Sequence, residues 1–217
     1  MVRFEPGPNR WKLGFKDAVL KSFQFLRKYG YRRVRADVTF VRYETPWYSF
    51  KRRFYVNVYH ARGSYEMGVE VGPKDSDPEM VNLPWILRWA GAPEADACFG
   101  DDGGKTMLSA ETREAVQTLV PRMAELVQKY AGPFLRGDFE AFKSANAMIQ
   151  RASDNHMEQI KRLAPMRGEA NVAWEAKDFE RVVAIYGSFE DELMAEEKER
   201  LAEASKQVAG RAATHSD

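Results

Sequence analysis

Three segments, Val34-Arg-Ala-Asp-Val-Thr-Phe-Val-Arg-Tyr-Glu44, Phe54-Tyr-Val-Asn-Val-Tyr-His60 and Tyr65-Glu-Met-Gly-Val-Glu-Val71, carry the alternation that decides the fold. The first places Val34, Ala36, Val38 and Phe40 on one side. The second places Phe54, Val56 and Val58 on one side and Tyr55, Asn57 and Tyr59 on the other. The third opposes Tyr65, Met67, Val69 and Val71 to Glu66, Gly68 and Glu70. A period of two means that each segment is a strand with one packed face and one wet or partner-facing face. The short link Ala61-Arg-Gly-Ser64 contains glycine and suits a hairpin between the second and third strands. The fold class is therefore α+β: an antiparallel three-stranded, or slightly larger, meander.

The flanking sequence is helical. Before the strands, Lys16 to Tyr29 spaces Ala18, Val19, Phe23 and Leu26 on one stripe, and Gly30 follows where a left-handed residue ends a helix. This N-terminal helix is expected to cover the sheet. After the strands, a short helix is expected over Glu79–Ala90 with Pro84 in its first turn. Residues 91–105 read as a loop. A C-terminal all-helical region follows, beginning with a Ser109-capped helix over Ala110–Tyr130 that kinks or breaks at Pro121. Gly132-Pro133 stops it. Further helices are expected behind an Asp138 cap through Ala152, over Asn155–Leu163 and, after Pro165, over Gly168–Glu175, then Phe179–Phe189 behind an Asp178 cap, then Ala195–Ala209. The composition shift at Gly100-Asp-Asp-Gly-Gly-Lys105 divides the chain into an α+β lobe, 1–105, and a helical lobe, 106–217, packed as one unit.

Composition narrows the function classes. The 217 residues are 44% hydrophobic and 12% aromatic, as in a folded protein able to bury a core. No apolar run approaches the roughly 20 residues of a membrane span, and the first residues lack the apolar core of a signal peptide. The single cysteine, Cys98, excludes an internal disulfide. A cytoplasmic protein without a membrane partner is the expectation. Net charge is +1, yet residues 1–72 hold 15 Lys and Arg against 6 Asp and Glu, and the remainder holds 18 against 26. Such a split fits a polyanion partner for the first part, or two halves that neutralise each other.

Catalytic and metal patterns are missing. His60, His156 and His215 are scattered, with no Cys/His cluster and no His-Glu-x-x-His. Gly100-Asp-Asp-Gly-Gly-Lys-Thr106 fails the phosphate-loop spacing and puts two carboxylates where a phosphate would sit. Neither a metal nor another cofactor is expected. Glu66 and Glu70 share a strand face and, with His60, form a polar sheet-face candidate for acid/base work. Two solvated side chains beside a strand-end histidine explain the same residues.

The strongest signal is a mixture of basic and aromatic residues at one end of the sheet: Arg42, Tyr43, Trp47, Tyr48, Phe50, Lys51, Arg52, Arg53 and Tyr55. Single-stranded nucleic acid is bound by such a mixture through stacking and phosphate neutralisation. Protein interfaces favour the same residue types, because Tyr, Trp and Arg bury much area at small entropy cost. Sequence alone does not separate the two.

Ala173-Trp-Glu-Ala-Lys-Asp-Phe-Glu-Arg-Val-Val-Ala-Ile-Tyr186 resembles one tetratricopeptide helix pair, with no second copy at the expected period. Phe25-Leu-Arg-Lys-Tyr-Gly30, Val41-Arg-Tyr-Glu44, Ser64-Tyr-Glu66, Leu135-Arg-Gly-Asp138 and the Ala173–Tyr186 segment together resemble a group of small bacterial proteins of uncharacterised function. The architecture is also similar to that of α+β immunity proteins of bacterial toxin systems. That similarity implies a protein partner, a toxin, neutralised by steric occlusion. A protein-binding module is thus the first expectation, a nucleic-acid-binding protein the second, and an enzyme built on His60, Glu66 or Glu70 the third.

Overall fold

A computed structural model describes residues 10–46, 52–61, 64–74, 80–99 and 108–214. The chain forms two compact units, Met1–Gln150 and Arg151–Asp217.

The first unit is built on a five-stranded antiparallel sheet, β1 (Arg32–Ala36), β2 (Phe40–Glu44), β3 (Phe54–His60), β4 (Met67–Pro73) and β5 (Val81–Asn82), paired in chain order. Five strands replace the expected three for two local reasons. The segment 34–44 is not one strand but a hairpin. Asp37 turns it: its carboxylate accepts from the Thr39 backbone N–H at 3.0 Å, from Thr39 Oγ1 at 3.3 Å and from Arg35 Nη2 at 2.8 Å. An aspartate bonded two residues ahead makes a turn without glycine. Val34 and Val38, expected in the core, are consequently exposed. At the other edge, two residues ahead of the short helix pair with β4.

Parity decides which side chains meet the helices. Val41, Tyr43, Phe54, Val56, Val58, Met67, Val69, Val71 and Val81 point inward and are buried. Against them lie α1 (Phe15–Ser22), continued by a 3₁₀ helix over Phe23–Tyr29, and α2 (Leu83–Trp89), α3 (Ala95–Phe99), α4 (Arg113–Tyr130) and α5 (Gly132–Leu135). Asn82 caps α2, its Oδ1 accepting from Trp85 N, with Pro84 in the first turn. The expected start at Glu79 is displaced because residues 81–82 are strand. The 91–105 segment, expected as loop, contains α3. The cap of α4 is Thr112, whose Oγ1 accepts from Ala115 N at 3.1 Å, rather than Ser109, which forms a bridge with Glu66. Pro121 lies inside α4 without ending it. Gly137 closes on Phe54: at φ 73° it takes a left-handed turn, and a β-carbon there would lie 2.6 Å from the ring. The ring of Phe54 in turn stacks on Phe142 of α6 (Phe139–Glu175). Because α4 belongs to this core, the first unit extends well past residue 105.

The helix α6 is continuous over its 37 residues, where three separate helices were expected. Pro165 removes one backbone donor and crowds the preceding turn, yet the helix runs through it, with Leu163 and Ala170 buried in the second unit's core on either side. The second unit has its own core of Leu163, Ala170, Ala173, Val182, Tyr186, Phe189, Leu193 and Ala204, shared by the end of α6, α7 (Phe179–Gly187) and α8 (Ala195–Thr214). Lys177 at φ 58° and the Asp178 cap on Arg181 N make the turn into α7. Arg167 donates to Glu197 at 2.8 Å, and Glu197 also accepts from Met194 N at 2.8 Å, holding the start of α8.

Candidate functional site

The opposite face of the sheet presents a different chemistry. Register aligns Phe40 with Tyr59 and Gly68, Arg42 with Asn57 and Glu70, and Glu44 with Tyr55 and Gly72. Phe40, Tyr55 and Tyr59 are half-buried and stand outside the hydrophobic core. Gly68 is what lets Tyr59 lie flat across β4, since a β-carbon there would fall 2.3 Å from the ring.

Guanidinium groups lie over these rings. Arg35 Cζ sits 4.9 Å from the Phe40 centroid and Arg42 Cζ 4.3 Å from that of Tyr55. Such contacts are attractive electrostatically and hold both partners in place. Each arginine is also paired with a carboxylate. Arg35 donates to Asp37, and Arg42 Nε donates to Glu44 at 2.8 Å, where Lys74 Nζ adds a second bond at 2.7 Å. Burial pushes the Glu44 carboxyl up, but the bonds and charges of Lys74 and Arg42 outweigh it and hold the group below its ordinary range. Across the strip, Asn57 Nδ2 donates to Glu70 at 3.2 Å, while its buried Oδ1 has no partner among the described residues. Burial, then Glu70 and Glu66, raise the Tyr59 hydroxyl, so it stays protonated and able to donate. The face thus runs from arginines on β1 and β2, across aromatic rings, to carboxylates on and beside β4.

The sequence candidates fall in several places. Arg42 and Tyr55 stack together on this face. Tyr43, one residue on, points into the core and is 7% exposed. Arg52 lies over Phe139, 4.4 Å from its centroid, and Arg53 precedes β3 with its carbonyl accepting from Lys74 N. Trp47, Tyr48, Phe50 and Lys51 lie outside the described residues. The basic and aromatic group adjacent in sequence is therefore divided between two faces. Arg35, Phe40, Glu44 and Tyr59 join the outer strip without having been singled out; the signal for them is register across a hairpin hidden in residues 34–44.

His60, Glu66 and Glu70 do not form one site. Glu66 and Glu70 flank Tyr59 on the outer face, whereas His60 has inward parity and is 1% exposed. Its Nε2 lies 2.9 Å from Ala110 O, and its ring packs against Phe15 and Tyr65. Burial first, and the Arg10 guanidinium second, lower its pKa despite the Ala110 and Tyr65 carbonyls. A neutral core histidine results. Cys98 is buried on α3, and burial raises its thiol. Among the described residues, no group of three or more His, Cys, Asp or Glu could hold a metal ion, and no helix is long and apolar enough to cross a membrane.

Comparison with protein-family models, with curated proteins and with solved structures found no match to this chain.

Proposed function

We propose that this chain is a protein-binding module whose recognition surface is the outer face of the sheet. One observation carries the reading: Phe40, Tyr55 and Tyr59 lie outside the core, two of them already fixed under arginines. A face of pre-ordered aromatic and guanidinium groups loses little rotamer entropy when a partner covers it. Arg35 and Arg42 are ion-paired while Glu66 and Glu70 stand beside Tyr59, so the complementary surface offers positive charge or donors on the β4 side of an apolar centre. In its concrete form the module is of the immunity type, in which the covered partner is a toxin and neutralisation is steric occlusion.

Nucleic acid suits this face less well. Arg35 and Arg42 are already neutralised by carboxylates, and Glu66 and Glu70 stand beside the ring on which a base would stack. A phosphate would have to displace an existing ion pair at each arginine.

The test is affinity capture from native lysate with the wild-type chain and with a Tyr55→Ala/Tyr59→Ala variant shown by circular dichroism to be folded. The expected result is one stoichiometric protein that survives nuclease and is lost from the variant. Equal recovery by both chains, or recovery that nuclease abolishes, rejects the proposal.

A further inference from the structure

Away from the outer face, where the 3₁₀ helix meets β1, a cavity of about 790 Å³ opens among Gln24, Arg27, Arg32 and Arg33. Its placement follows from helix geometry. With three residues per turn, a 3₁₀ helix stacks i and i+3 in one row, and Gln24, Arg27 and Gly30 share the row that lines the cavity. Gly30, at φ 82°, then reverses the chain so that Arg32 and Arg33 come back along β1. Two carbonyls at the end of this helix are already engaged. Arg27 O accepts from Gly30 N at 3.0 Å, and Leu26 O accepts from Tyr31 N at 3.2 Å.

Two features make this more than a basic patch. First, among the described residues none of the three guanidinium groups has a carboxylate partner, in contrast to Arg35, Arg42, Arg122, Arg162, Arg167, Arg181 and Arg200. Second, Tyr31 lines the same cavity, is 1% exposed, and its hydroxyl has no hydrogen-bond partner among the described residues. A buried hydroxyl left unpaired is costly, and native structures seldom keep one without a purpose. Tyr43 completes the floor. Burial pushes its hydroxyl up to about 12 even though Arg33 and Arg27 pull the other way, and burial raises Tyr31 as well. Both phenols therefore remain donors at neutral pH. Guanidinium groups cannot accept a hydrogen bond at all.

The structure assigns this cavity, we infer, as a binding site for a phosphorylated small molecule. Its phosphate is held by Arg27, Arg32, Arg33 and the Tyr31 hydroxyl. A pocket whose charged side chains are all guanidinium groups selects a ligand rich in acceptors, and planar guanidinium forks match phosphate oxygens. The volume is that of ordinary small-ligand pockets, enough for a body of nucleotide size beyond the phosphate. Leu20 and Pro46 supply an apolar wall for that body. The inference stands apart from the sheet-face reading and does not depend on it.

Calorimetric titration with inorganic pyrophosphate and with ADP, separately and in competition, tests it on the full chain. Both are expected to bind, to displace one another, and to weaken by about tenfold or more in Arg33→Ala and in Arg27→Ala. Tyr31→Phe supplies an independent arm. Removing an unpaired hydroxyl should leave the melting temperature of the free protein unchanged or raised, while weakening the binding of both probes. The assignment is overturned if neither probe binds at millimolar concentration, or if only ADP binds. It is overturned equally if the arginine variants bind as tightly as wild type. A lowered melting temperature of ligand-free Tyr31→Phe also overturns it, because the hydroxyl would then have a partner inside the protein.

Discussion

Substituting Gly68 by alanine probes the outer face at its tightest point. Gly68 does not take a left-handed conformation, so its backbone accepts any residue. Considered alone, the change should favour folding by roughly 0.5–1 kcal/mol, because glycine loses more chain entropy in a strand. The Tyr59 ring reverses the sign. The new methyl would fall 2.3 Å from Tyr59 Cζ and 2.4 Å from its hydroxyl oxygen, and Tyr59 sits directly opposite in the β3–β4 register. Overpacking of this kind costs about 1–3 kcal/mol, so the net loss should fall between about 0 and 2.5 kcal/mol. In a Tyr59→Ala background the collision disappears, and the same substitution should become neutral or mildly stabilising. Urea unfolding of wild type, both single variants and the double variant, followed by circular dichroism, gives the coupling energy. It should be about 1–3 kcal/mol. If Gly68→Ala costs the same with and without the ring, Tyr59 does not lie across β4, and the recognition face described above is wrong.

The imidazole of His60 is held below its ordinary pKa by burial and by Arg10. Below about pH 6.5 the unfolded chain therefore takes up a proton more readily than the folded one. The stability conferred by neutral His60 is complete above that pH and is lost as pH falls through the lower folded value. Titrating the ring protons by NMR should give a midpoint below 6.5, and a midpoint at or above it contradicts the buried placement. In the second unit, Arg167→Ala leaves Glu197, 6% exposed, without its guanidinium partner at the start of α8. A fully dry pair would lose about 3–5 kcal/mol. The expected loss here is smaller, since 24% of the Arg167 side chain is exposed. Amide exchange over Met194–Lys198 should accelerate while the sheet is unaffected; unchanged exchange there would show that the pair does not hold the helix.

Strand parity was legible wherever a strand had a clean partner. The inward set of Phe54, Val56 and Val58, the Gly30 stop, and the Asp138 and Asp178 caps all follow from residue type and spacing. The β1–β2 hairpin was hidden because Val34, Ala36, Val38 and Phe40 continue the alternation straight through the turn, which is made by Asp37 and Thr39 and not by glycine. Neither Pro121 nor Pro165 ends its helix, so one missing backbone donor is not a boundary by itself. The candidate site suffered from adjacency: Arg42 and Tyr43 are neighbours in the chain but belong to opposite faces, and His60 is separated from Glu70 by the same rule. The arginine cavity had no signature in the sequence. Its residues approach through the helix end at Gly30, which spacing alone does not reveal.

The rims of the sheet have a consequence for behaviour at high concentration. An edge strand with open hydrogen-bonding groups is a template on which another chain can add. Here one rim is β1, whose five residues include Arg32, Arg33 and Arg35, and the other is β5, only two residues long. A second copy approaching the first rim meets its own positive charge, and the second rim is too short to seed a ladder. Sheet extension is thereby discouraged at both ends, and the protein can keep an aromatic surface in contact with water without drifting towards fibrous self-association.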